Sequence, residues 1–69
     1  MKEKIINFLS EKFEKTVSEK TELVELCEDS ISRVETLFDI EMLIDKKIPE
    51  EDIFTIENVG DLIKVANKL

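Results

Sequence analysis

Apolar residues recur along this chain with a helical period, interrupted in two places. Ile5, Ile6, Leu9 and Phe13, set among lysines and glutamates, predict a first helix over residues 2–14. Across residues 15–29 the pattern lapses, broken by Thr16, Ser18, Thr21 and scattered charges. That stretch reads as a long loop whose Val17, Leu23, Val24 and Leu26 tuck onto the core. A second helix is expected from about Ser30 to Asp45. Asp29, Ser30 and Ser32 each suit its N-cap, and Ser32-Arg33-Val34-Glu35 fits a capping box. Ile48-Pro49 ends the pattern. Pro49 suits the first position of a new turn, and Glu50, Glu51 and Asp52 favour a helix N-terminus, which predicts a short third helix over roughly 50–55. Asn58, with Asp61 three residues on, caps a last helix whose buried face is Val59, Leu62, Ile63 and Ala66. Nothing alternates strongly enough for a sheet. The expected fold class is all-α: a single domain over residues 1–69, three main helices plus one short helix.

The second helix has an excess of apolar residues. At about 100° per residue, Thr36, Leu37, Ile40, Leu43 and Ile44 fall on one side, the natural core face. Ile31, Val34, Phe38 and Met42 fall on the other, bordered by Glu35 and Asp39 on one flank and by Glu41 and Asp45 on the other. This second stripe reads as a docking strip, apolar along its centre and ringed by carboxylates. The competing reading buries two or more of its residues under the 15–29 loop or against the last helix, with the acids as an ordinary solvated face.

Charge sharpens the picture. The net charge is −7, and it is uneven. Residues 1–24 carry five lysines and five glutamates; residues 25–57 carry eleven acids against Arg33, Lys46 and Lys47, a local balance of −8; the remainder is +1. Nucleic-acid phosphates would be repelled by such a surface, whereas partners with basic patches would be steered to it. No apolar run approaches the ~20 residues of a membrane span, and Met1-Lys2-Glu3-Lys4 leads into alternating charges, unlike a signal peptide. A soluble cytoplasmic monomer is the expectation. At 69 residues, without histidine and with a single cysteine, the chain has neither zinc-type ligation nor an intrachain disulfide to rely on, so well-packed helices must stabilise it.

Two residues near the head of the second helix carry candidate chemistry. Cys27 reads as a small buried apolar side chain rather than a reactive thiol, since no lysine or arginine adjoins it in sequence. Ser30 has two readings. Taken alone, a serine at a helix start is an N-cap. Alternatively its hydroxyl carries a phosphodiester, which would face the free N–H groups of the helix start. With no histidine to act as general base, Ser30 is not a triad nucleophile, and its modification would be performed by another protein.

These residues resemble the acyl carrier proteins, small acidic helical bundles that bear 4′-phosphopantetheine on the serine of an Asp-Ser-Leu motif at the start of the second helix. Here the motif reads Asp29-Ser30-Ile31. Val34-Glu35 stands where the family has Val-Glu, Ile48-Pro49 where it has Ile-Pro, and Ile56 and Val59 match apolar positions leading into the last helix, without a gap from Asp29 to Val59. Residues 1–26 match only in helix pattern. The resemblance implies an acyl-carrier-like bundle in which a phosphopantetheinyl transferase uses coenzyme A to modify Ser30, flanked by Asp29 and Ile31. The arm would hold acyl groups as thioesters for the enzymes of fatty-acid or specialised, polyketide-like biosynthesis. The chain itself would not be an enzyme. Val34, Glu35, Phe38, Glu41 and Met42 would form the surface for acyl-loading and acyl-processing partners with basic patches, and Phe38, Ile44 and Ile63 an interior able to receive the acyl chain. Cys27 stands where the family usually has glycine, Met42 replaces an acid, and Arg33 adds a positive charge near the phosphate site. These differences suit a carrier dedicated to a specialised pathway. A peptidyl, aminoacyl or D-alanyl carrier, and an unmodified acidic helical interaction module, are the alternatives.

Overall fold

The computed structural model describes residues 2–69. Five helices follow one another: α1 (Lys2–Phe13), α2 (Leu23–Leu26), α3 (Ser30–Ile44), α4 (Glu50–Ile53) and α5 (Val59–Lys68). Three are long and two are single turns, so the expectation of one short helix is corrected by a second, α2, inside the 15–29 segment. It was hidden because a four-residue turn has no periodicity to detect. Among the described residues there is no strand; the sole extended pairing is an isolated bridge between Glu22 and Asn58.

Helix ends explain the boundaries. Both α1 and α3 stop in the left-handed region, at Glu14 (φ 52°) and Asp45 (φ 56°), without the glycine that usually occupies such a position. In each case the next N–H reaches back to close the end: Lys15 N–H donates to the Ser10 carbonyl and Lys46 N–H to the Glu41 carbonyl, both at 3.2 Å. The start of α5 matches its sequence signature. Asn58 Oδ1 accepts the Asp61 N–H at 2.8 Å, and the Asp61 carboxylate accepts the Glu57 and Asn58 N–H groups.

The core is drawn from four of the five helices and from the connections; α4 only packs its half-buried Ile53 against it. Ile5 and Leu9 of α1, Leu23 and Leu26 of α2, Leu37, Ile40 and Ile44 of α3, and Val59, Leu62, Ile63, Val65 and Ala66 of α5 are buried, joined by Val17, Cys27, Ile48 and Ile56 from the connections. α1 packs against α5. The 15–29 segment is tied down by backbone as well as by side chains. Leu23 N–H donates to the Glu57 carbonyl (2.9 Å), Val59 N–H to Thr21 (2.9 Å) and Gly60 N–H to Glu19 (2.8 Å). A Cβ at Gly60 would stand 3.1 Å from the Glu19 oxygen, so the one glycine of the chain lies where the loop backbone crosses the head of α5. Val24 is exposed, contrary to expectation, because the α2 turn directs Leu23 and Leu26 inward and Val24 away from them.

Leu37 and Met42 lie on opposite faces of α3 and should respond differently to truncation. Leu37→Ala is expected to cost about 2–5 kcal/mol, a large share of the stability of so small a domain. Met42→Ala should stay within about 0.5 kcal/mol. Urea unfolding followed by far-UV circular dichroism measures both.

Candidate functional site

The site is built at the head of α3. Asp29 has extended backbone, and its Oδ1 accepts the Ser32 N–H at 2.7 Å; Asp29 is therefore the N-cap. That settles the three-way choice. Ser30 is the first residue of the helix and Ser32 the third, so the Ser32–Glu35 capping box does not form. The Ser30 side chain is exposed, and none of the described residues hydrogen-bonds its hydroxyl, so the serine is relieved of the structural task that residue type commonly performs there. The Ser32 backbone N–H, and then its hydroxyl, hold the Asp29 carboxyl below the ordinary carboxylate value.

Behind this exposed head, the helix is anchored from the core side. The Thr36 hydroxyl donates to the Ser32 carbonyl at 2.8 Å, and Cys27 Sγ lies 3.6 Å from Thr36 Oγ1. The threonine's single proton is already committed, so the thiol is the donor in that contact. Cys27 is buried as expected, and its role here is to pin the α2–α3 connection to the inner face of α3.

The second stripe of α3 is on the surface. Relative exposures are 72% for Ile31, 40% for Val34, 52% for Phe38 and 81% for Met42, so the reading that buries two of them is ruled out. Phe38 is likewise excluded from the interior, while Ile44 and Ile63 are core residues. The stripe does not stand alone. α4 lies beside it, and Val34, Phe38 and Glu41 of α3 line an open groove of about 330 Å³ with Lys47, Ile48, Glu50, Ile53 and Phe54. A smaller recess, lined by Ser30, Arg33, Val34, Ile53 and Phe54, shares Val34, Ile53 and Phe54 with that groove. Phe54, 80% exposed, is the component that sequence reasoning missed. An aromatic in a stretch read as a short helix gave no hint that it would be left uncovered.

The acids around the stripe differ in how free they are. Glu35 and Asp45 are exposed. Asp39 pairs with Lys12 at 3.3 Å. Glu41 Oε2 accepts the Ile48 N–H at 2.6 Å, so this carboxylate also shapes the turn that brings α4 alongside α3. Among the described residues no group of three or more His, Cys, Asp or Glu could hold a metal ion, and no helix is long and apolar enough to cross a membrane.

No family model matches the chain, and no curated protein does.

Two substitutions test the division of labour at this site. Ser30→Ala should leave stability within about 0.5 kcal/mol, because Asp29 supplies the cap. Asp29→Ala should lower the melting temperature, and Asp29→Asn, which retains a side-chain acceptor, should lower it less. The folded-state pKa of Asp29 is depressed, so its contribution is fully present above the unfolded-state value and is lost as pH falls through the folded value. The gap between wild type and Asp29→Ala should be full at neutral pH and close in the acid range below ordinary carboxylate titration, as thermal melts across pH would record.

Proposed function

We propose that this chain is an acyl carrier protein, an acyl-carrier-like helical bundle modified at Ser30 with 4′-phosphopantetheine. One observation carries the reading: the serine of Asp29-Ser30-Ile31 begins α3 with an exposed, unbonded hydroxyl, while its neighbour Asp29 performs the capping. The surroundings suit the group. Ser30 borders a recess that it shares with Arg33, Val34, Ile53 and Phe54. When attached, the arm supplies a thiol that holds an acyl group as a thioester.

The chain's own residues have defined tasks in this reading. In the attachment step, the Ser30 oxygen attacks the phosphorus of coenzyme A that bears the pantetheine. A new P–O bond forms, the pyrophosphate P–O bond breaks, adenosine 3′,5′-bisphosphate leaves, and the serine proton passes to a base of the transferase. Asp29 holds the helix head in place without engaging the hydroxyl. Ile31, Val34, Phe38 and Met42 offer the apolar contact area for acyl-loading and acyl-processing enzymes, and Glu35, Asp45 and the acids of α4 steer their basic patches. The uncovered stripe also favours a second reading, an interaction module in which Ser30 stays unmodified.

Mass spectrometry separates the two. Incubation with coenzyme A and a promiscuous phosphopantetheinyl transferase should add the mass of one phosphopantetheine to the wild type and nothing to Ser30→Ala. A wild type unchanged by several transferases would reject the carrier reading and leave the interaction module.

A further inference from the structure

Arg33 is the one arginine of the chain, and it lies within the segment richest in acids. It is partly buried, yet among the described residues no carboxylate lies within ion-pair distance of it; Lys4, Lys15, Lys20, Lys46, Lys47 and Lys64 also lack such a partner, but all of them are exposed. It stands three residues after Ser30 in α3, on the same side of the helix. It also forms part of the wall between two hollows. One is the recess of Ser30, Val34, Ile53 and Phe54; the other is lined by Glu22, Val24 and Glu57. The first contains no charged residue besides Arg33. The second offers two carboxylates, neither of them close enough to hold the guanidinium.

We infer that Arg33 is a positioning residue for the phosphodiester on Ser30, drawing the root of the arm into the α3–α4 recess against Ile53 and Phe54. The inference rests on the carrier reading above. A guanidinium presents a planar fork of donors matched to phosphate oxygens, and an unpaired one in an otherwise apolar recess lacks a partner that a phosphodiester on Ser30 would provide. The surrounding acids repel that phosphate from the rest of the surface, so Arg33 sets the direction in which the arm leaves the helix. Val34 and Phe54 then flank its first atoms.

The test compares amide NMR spectra of the apo and modified protein, for wild type, Arg33→Gln and Arg33→Lys, after mass spectrometry has established the modification of each. In the wild type, attachment should move the resonances of Ser30–Ser32, which report the covalent bond, and those of Ile53 and Phe54, which report the docked root. In Arg33→Gln the first set should still move, while the Ile53 and Phe54 displacements should shrink about two- to five-fold. Arg33→Lys, which keeps the charge without the fork, should fall between. It also serves if the glutamine variant does not fold, because raising NaCl to about 0.5 M should then reduce the Ile53 and Phe54 displacements in both Arg33→Lys and the wild type. Displacements at Ile53 and Phe54 that are absent in the wild type, or equal in all variants and insensitive to salt, would overturn the inference while leaving the carrier reading intact. Failure of the carrier reading registers earlier and separately, as the absence of any mass gain.

Discussion

The hydrogen bond from the Ser32 N–H to the Asp29 carboxylate determines where α3 begins, and the rest of the site follows from it. A helix exposes unpaired N–H groups at its start, and the residue that satisfies them defines the first position inside. With Asp29 in that role, Ser30 becomes the first helical residue. Thr36, Leu37, Ile40 and Ile44 can then face the core while Ile31, Val34, Phe38 and Met42 face outward. Had Ser30 capped the helix, its hydroxyl would have been consumed by the backbone. The aspartate thus takes the capping task and leaves the adjacent Ser30 hydroxyl free of it.

The far end of α3 is governed by a different carboxylate. Glu41 accepts the Ile48 N–H, Asp45 takes a left-handed conformation, and Pro49 opens the next turn. Together these bring α4 back beside the outer face of α3 and convert a flat apolar stripe into a groove walled by Ile53 and Phe54. Glu41 therefore both contributes to the acid field and holds up one wall of the groove. The same economy holds behind the site, where Cys27 and Thr36 join the loop, the core and the helix through one chain of polar contacts.

Much of this was legible in the residues. The presence of α1, α3 and α5, the Asn58–Asp61 box and the division of α3 into two apolar faces followed from periodicity and cap chemistry, which act over four or five residues. The α2 turn, the exposure of Val24 and the choice of Asp29 over Ser30 and Ser32 as cap did not. A single turn has no period, and three neighbouring polar residues have equal local claims to one cap position. The ends of α1 and α3 were blurred because Glu14 and Asp45 stand where a glycine would have announced them.

Local chemistry also specified the acid excess around Ser30 and an outer stripe at helical spacing, whereas by local chemistry alone Ser30 itself read as a helix cap, and only the resemblance of Asp29-Ser30-Ile31 to a carrier motif made it a candidate for modification. Whether that stripe would be covered was a tertiary question: burial depends on what packs opposite, and periodicity cannot say whether a neighbour exists. The fold sets the 15–29 segment against the head of α5 and not over the stripe, so the stripe stays open. It likewise places Arg33 between two hollows and brings Phe54, distant in the linear chain, to the recess that Ser30 lines. Helix phase is a property of neighbouring residues, whereas the groove exists only because the 45–49 turn returns the chain to the surface it had just left.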